Sequence, residues 1–312
     1  MKTKVPLPHD ILRSPKWEWH IPDAPVADAV RSLDLKDGEL VKRSSVRAVY
    51  RCGDYFLKFE FGTNFMTSLR NRLHPKARQE YGIGRTLAEA GIPAVECLGW
   101  GRLGGMNVLV TRALPGCVSV DEYYYTHIVC GGESPDMFVS EITAYLRKFF
   151  DAGFLHRDLH FGNILYNPDK HAFSLVDLIE ISRPCRLTAA DRKVMSRCVV
   201  TLRAGLNRAQ MLHAIRAVGA ADSDEAAEKY YFDEVRRTAR HLKISSAAQA
   251  FASSASGIRI GEGYWKTKRS YPAGSPSLMS SGVRIGRDSQ SFRSRIVFSR
   301  APGQGTASVN FG

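Results

Sequence analysis

The run His156-Arg157-Asp158-Leu159-His160-Phe161-Gly162-Asn163 puts a carboxylate and a carboxamide five residues apart. It follows a segment with one apolar helical face and precedes a short strand-like run. Phosphoryl transfer needs that layout: Asp158 would accept the proton of an attacking hydroxyl, and Asn163 would reach a magnesium ion. Fourteen residues further on, Asp177 ends the run Ser174-Leu175-Val176-Asp177. One carboxylate and one carboxamide oxygen, completed by substrate phosphates, suit the hard Mg²⁺ ion. His156 and His160 also have the spacing of a zinc-protease helix, but that helix needs Glu after the first His, where Arg157 stands, and Gly162 marks a loop. His156 reads instead as a packed, hydrogen-bonded support for the loop.

A phosphate-handling lysine must come from elsewhere. Lys58, in Tyr55-Phe56-Leu57-Lys58, lies on a predicted strand, and Glu80 lies 22 residues on, in the helix that follows. A Lys–Glu pair of this kind holds the ammonium toward the α- and β-phosphates of a nucleotide. Two features depart from the protein-kinase pattern. No G-x-G-x-x-G is present, the first turn reading Lys42-Arg43-Ser44-Ser45-Val46, and Asp177 is followed by Leu178-Ile179 in place of Phe-Gly. Serines admit backbone amides to a phosphate less freely than glycines do. With no A-P-E segment, a long switchable activation loop is not expected.

The elements that must position these residues follow from the pattern. Glu39–Lys42, Val46–Arg51 and Asp54–Glu60 read as an antiparallel meander, the last two separated by a Cys-Gly turn. A helix is predicted from Lys76 to Ala90, stopped by Gly91 and Pro93, then strands near Val95–Gly99 and Asn107–Thr111. Downstream the chain turns helical. Ser134-Pro135-Asp136 caps a helix whose face carries Phe138, Ile142, Leu146, Phe149 and Phe150. Ile164–Tyr166 and Phe173–Val176 bracket a turn like a hairpin, and Ala189–Ala204, Arg208–Val218 and Glu225–Leu242 are helix candidates. The fold class is α+β: a bilobal, protein-kinase-like fold with a small antiparallel β lobe bearing one helix and a larger α-helical lobe.

The 312 residues carry 44 Lys+Arg against 31 Asp+Glu, a formal charge of +13, and 44% are hydrophobic, enough to bury a core. Residues 253–312 hold nine basic and two acidic residues in a Ser/Gly-rich context, so +7 of the charge sits there. We expect a basic, disordered tail over 253–312, an irregular lead-in over 1–37, an ATP-binding β lobe over 38–114 and an α lobe with the catalytic loop and Mg²⁺ site over 115–252. Six scattered cysteines without a CxxC pair favour reduced thiols and the cytoplasm. No segment has the ~20 apolar residues of a membrane span, and no signal peptide is evident. Basic residues do not interleave with aromatics as a stacking platform requires, so nucleic acid is not an expected partner.

The stretches Ala77–Ala94 (ARQEYGIGRTLAEAGIPA), Leu109–Gly116 (LVTRALPG), His156–Leu165 (HRDLHFGNIL) and Leu175–Ile179 (LVDLI) resemble the lipopolysaccharide core kinases, the Kdo and heptose kinases of Gram-negative bacteria. The resemblance covers about Leu40 to Leu242. It implies transfer of the γ-phosphoryl group of ATP to a sugar hydroxyl of lipid-linked core oligosaccharide. Asp158 would be the base, Asn163 and Asp177 the Mg²⁺ ligands, Lys58 the phosphate clamp and Glu80 its partner. Thr111, Arg112, Ala113 and Leu114 would form the hinge that meets adenine through backbone groups. The acceptor would be an anionic glycolipid at the cytoplasmic face of the inner membrane, which the protein would contact peripherally. Arg70, Arg72, Lys76 and Arg78, between the Lys58 strand and the Glu80 helix, read either as a solvated basic face or as residues near the phosphates. Two alternatives stand beside this reading: a kinase of protein Ser/Thr or of a small molecule such as an aminoglycoside, and a non-catalytic, kinase-like ATP-binding scaffold.

Overall fold

Alternation of buried and exposed positions builds the sheet that carries Lys58. The computed structural model describes residues 7–241 and three later segments, 283–287, 294–298 and 307–310. The described residues divide into two compact units, one running up to Val120 and including Ala152–Cys185, the other made of Asp121–Asp151 and the chain from Arg186 onward. The catalytic-loop segment therefore belongs with the β sheet, not with the 115–252 lobe in which it was expected. Two of its ties are backbone ones: the Val95 N–H donates to the Leu175 carbonyl at 2.8 Å and the Leu175 N–H to that of Pro93 at 3.3 Å.

In the first unit, β1 (Glu18–His20) and α1 (Ala24–Ser32) come from the lead-in expected to be irregular. The signal was present. Asp23 accepts from the Val26 amide at 3.0 Å, Pro25 sits in the first turn, and Val26, Ala27 and Val30 fall on one buried face. Leu12, Trp17, Val26, Val30 and Leu35 pack with Leu57, Phe59, Val108 and Val110 in one core, so the lead-in supplies one wall of the sheet's hydrophobic layer. Next come β2 (Glu39–Arg43), β3 (Arg47–Cys52), β4 (Tyr55–Glu60), α2 (Phe65–Leu73), α3 (Lys76–Glu89), β5 (Cys97–Leu103) and β6 (Met106–Arg112). The sheet has six strands in the order β1-β5-β6-β4-β3-β2, all antiparallel, against the five expected. It also carries more than the one helix foreseen. In α2 the Asn64 and Thr67 side chains cap each other's amides, a pattern the sequence reading passed over.

The β3–β4 turn is two residues, Gly53-Asp54, with Gly53 at φ 56°, so counting back from it pairs Val49 with Lys58 and Arg47 with Glu60. Along β4, Leu57 and Phe59 are fully buried in the core, which by alternation turns Lys58 to the opposite face. That face is covered by α3. A side chain at Gly84 would collide with Cys97 on β5, so glycine lets α3 sit close on the sheet.

The catalytic segment adds short strands. β7 (Val118–Ser119) pairs with β9 (Ile164–Asn167), β9 with β10 (Ala172–Leu175), and β8 (Leu155–His156) with β11 (Ile181–Ser182). The predicted hairpin is therefore present.

The second unit is helical. α4 (Val120–Tyr123) runs into a π-helical stretch, Tyr124–Val129, and α5 (Asp136–Asp151) buries Phe138, Ile142, Leu146, Phe149 and Phe150 as its pattern requires. α6 (Ala189–Met195) and α7 (Arg197–Val200) split the single helix expected over Ala189–Ala204, and α8 (Arg208–Ala217) and α9 (Asp224–His241) follow. α5 packs on α8 and α8 on α9. Within the expected tail, β12 (Val283–Arg287), β13 (Ser294–Phe298) and β14 (Ala307–Asn310) form an antiparallel sheet, so those stretches are strands; the rest of 253–312 lies outside the described residues.

Candidate active site

Three charged side chains from three elements meet at one point. Lys58 Nζ on β4 donates to both carboxylate oxygens of Glu80 on α3, at 2.9 and 2.8 Å, and to Asp177 Oδ1 at 2.6 Å. Glu80 is 4% exposed, and its Oε1 also accepts the Leu178 N–H at 3.1 Å, which ties α3 to the turn after Asp177. Burial pushes the Glu80 carboxyl above its ordinary range, opposed chiefly by Lys58. Burial also works to raise Asp177, but Lys58 and Arg47 outweigh it and hold that carboxyl below its usual range. Asp177 has a left-handed backbone, φ 57°, an uncommon state that Asp tolerates better than most residues.

Arg47 joins this cluster, and the sequence reading did not single it out. Its Nη2 donates to Glu60 Oε1 at 3.0 Å and its Nη1 to Asp177 Oδ2 at 3.5 Å. Burial works against its charge, yet Asp177 and Glu60 raise its pKa above the ordinary value. The signal that would have found it is the hairpin register, which sets Arg47 directly across from Glu60 and two residues from the partner of Lys58. The turn before it spends three amides locally. The Ser44 N–H donates to the Arg47 carbonyl at 2.7 Å, and the Val46 and Arg47 N–H groups donate to Ser44 Oγ at 3.3 and 3.0 Å.

The catalytic loop is held from behind by backbone bonds. Pairing of β8 with β11 and the Arg157 N–H to the Glu180 carbonyl, 3.1 Å, fix its entry. His156 is buried, and its Nδ1 accepts the Asp158 N–H at 3.2 Å, the support role foreseen for it. Burial lowers the His156 pKa to about 4, with Asp158 opposing. The Asp158 side chain is 72% exposed, and the His160 ring stands 3.9 Å from its carboxylate. Asn163 Nδ2 donates to the Asp158 carbonyl at 3.1 Å, and the Asn163 carbonyl accepts the Val176 N–H at 2.9 Å, so the loop and the Asp177 turn are adjacent.

The structure thus brings Lys58, Glu80 and Asp177 into direct contact and couples Asp158 with Asn163. Among the described residues, no group of three or more His, Cys, Asp or Glu side chains is arranged to hold a metal alone. Asp177 and Asn163 instead offer one carboxylate and one carboxamide oxygen. That set fits Mg²⁺, which characteristically takes one or two carboxylates together with substrate phosphates. Thr111, Arg112, Ala113 and Leu114 lie at and just beyond the end of β6, the neighbour of β4. The amides of Arg112 and Ala113 are already donated, to Glu96 at 2.9 Å and Asp54 at 2.7 Å. A base read by this stretch would meet Leu114 and carbonyl oxygens.

A strand lysine bonded to a helix carboxylate, beside an H-R-D loop, is the arrangement found in protein-kinase-like phosphotransferases. Over residues 33–214 the sequence matches the family described as Lipopolysaccharide kinase (Kdo/WaaP) family, and as this is more than half of the chain, the protein belongs to that family. It is a kinase of the lipopolysaccharide core with a hydroxyl acceptor and a protein-kinase-like fold. No curated protein matches it.

Proposed function

We propose that the protein transfers the γ-phosphoryl group of ATP to a sugar hydroxyl, on Kdo or heptose, of the lipopolysaccharide inner core. The observation that supports this reading is the Lys58 ammonium held between Glu80 and Asp177 at 2.6–2.9 Å, the lysine–carboxylate arrangement that a phosphate clamp requires. Asp158, exposed on its loop, accepts the proton of the sugar hydroxyl as that oxygen attacks the γ-phosphorus and the bond to the β-phosphate oxygen breaks. Asn163 and Asp177 would hold Mg²⁺, which supplies charge neutralisation at the phosphate oxygens.

Arg47 supports the same reading. With the amides of Ser44, Val46 and Arg47 spent locally, a guanidinium pinned by Glu60 and reaching Asp177 would supply donors that a Gly-rich turn supplies from its backbone. Arg47 and Lys58 both reach Asp177, so a phosphate touching Lys58 comes within reach of Arg47. Thr111–Leu114 would seat the adenine. The acceptor would be an anionic glycolipid, approached at the cytoplasmic surface of the inner membrane.

The test is transfer of labelled phosphate from ATP, with Mg²⁺, to purified inner-core glycolipid, to a generic protein substrate and to an aminoglycoside in parallel, with mass spectrometry of the product. Label on Kdo or heptose is the expected result. Label only on the protein or the aminoglycoside, or binding of ATP without transfer to any acceptor, would refute the proposal.

A further inference from the structure

Helix α2 is amphipathic the wrong way round for a helix that only packs on a core. Its small polar residues face the protein. Asn71 is 4% exposed and its Nδ2 donates to the Gly105 carbonyl at 3.3 Å, while a side chain at Gly62 or Gly105 would collide with Ser68. Its large apolar residues face out: Phe65 is 78% exposed, Met66 70%, Leu73 63% and Leu69 39%. Phe65, Leu69 and Leu73 recur every four residues, which stacks them on one face, and Met66 lies beside them. Of the nine large apolar side chains exposed among the described residues, four belong to this helix of nine residues. An apolar patch this concentrated on a helix seated by polar contacts marks an interaction surface.

The charge around the patch selects the partner. Arg70 and Arg72 lie on α2 itself, and His74, Lys76 and Arg78 follow at once. The segment from Phe65 to Gln79 contains no Asp or Glu. Arg70 and Arg78 make no ion pair among the described residues. An apolar stripe rimmed by arginines and lysine is the composition of a helix that lies in the interface of an anionic bilayer, its apolar side chains among the acyl chains and its basic ones at the headgroups.

We propose that α2 is a membrane-docking helix that inserts Phe65, Met66, Leu69 and Leu73 into an anionic lipid surface. Capped at Asn64 and joined to α3 through His74 and Pro75, it connects directly to the helix that carries Glu80. The docking helix and the Lys58 partner are thus consecutive elements. The inference adds a surface to the proposed acceptor chemistry and uses that reading only for the identity of the membrane.

Co-sedimentation of the full-length protein with vesicles tests it, without nucleotide or glycolipid, so the outcome is independent of whether the kinase reading stands. The parent is expected to bind equimolar phosphatidylcholine–phosphatidylglycerol vesicles more tightly than phosphatidylcholine alone, and to keep part of that affinity in high salt. Phe65→Ser, Leu69→Ser and Leu73→Ser together should weaken binding at least about a hundredfold, since three apolar side chains lose their burial. Arg70→Gln with Arg72→Gln should cost roughly fivefold per charge, and only at low salt. These side chains are exposed, so circular dichroism and thermal unfolding should match the parent. Parent-like binding by the triple-serine variant overturns the proposal, as does a parent that ignores both vesicles. A parent that is dimeric without lipid and a triple-serine variant that is monomeric would also overturn it, by assigning the face to a second copy of the chain.

Discussion

The two halves of the candidate active site are built by opposite means. The Lys58–Glu80–Asp177–Arg47 cluster is buried at Glu80 and Lys58 and opens to solvent at Asp177, and its side chains position one another through charge. The catalytic loop presents Asp158 to solvent and positions it through the main chain, by the β8–β11 pairing, the His156 imidazole and the Asn163 carboxamide. In the first half, each member is needed to keep its partners tolerable where they are, because a buried charge without a counter-charge is costly. In the second half, the exposed Asp158 carboxylate is nearly independent of the fold that presents it. Function and stability should therefore separate in the loop and stay linked in the cluster.

The largest effect expected is on the loop. Asp158→Ala should cut the rate of phosphoryl transfer by about 10²–10⁴, the range for a general base, with unfolding free energy within about 0.5 kcal/mol of the parent because the side chain is exposed. Steady-state kinetics together with urea unfolding measure both. A variant that loses activity only in proportion to lost folded protein would break the comparison. The cluster should behave otherwise. Lys58→Met leaves Glu80 buried without its ammonium and should cost about 3 kcal/mol in unfolding free energy as well as activity. Adding Glu80→Gln to Lys58→Met should restore part of the stability and none of the turnover. If Lys58→Met is as stable as the parent, the cluster is not held together by charge.

That division also explains what could be read from the sequence. Asp158, Asn163, Lys58, Glu80 and Asp177 carry their chemistry in residue type and spacing, and the hairpin and α3 that hold them follow from turn and cap signals. Arg47 was hidden because its importance lies in a long-range register, visible only once the Gly53-Asp54 turn is used to count across the strands. The lead-in was misjudged for a related reason. The Asp23 cap, Pro25 and the Val26–Val30 spacing mark a short helix, but the burial of that face and of Trp17 is conferred by Leu57, Phe59 and Val110, far away in the chain. The outward apolar face of α2 is invisible in a pattern alone, since periodicity gives the face but not the side on which the protein lies.

The smallest effect predicted bears on how the loop is held. His156 is buried, with its pKa lowered from the ordinary value near 6.5 to about 4. In the unfolded chain it gains a proton as the pH falls through 6.5, whereas in the fold it stays neutral until about pH 4. The folded state therefore keeps its full advantage above pH 6.5 and loses it progressively as the pH drops toward 4. By pH 5 the loss from this one group is about 2 kcal/mol. The cost has a structural reading, because a proton on Nδ1 would face the Asp158 amide that now donates to it. His156→Asn keeps a carbonyl oxygen to accept that amide and has nothing to titrate. Urea unfolding at pH 7 and pH 5 should show the parent losing more stability than His156→Asn by that amount. Equal losses would mean that the acid sensitivity lies elsewhere, and that the loop is held by its strand pairing without need of a neutral imidazole.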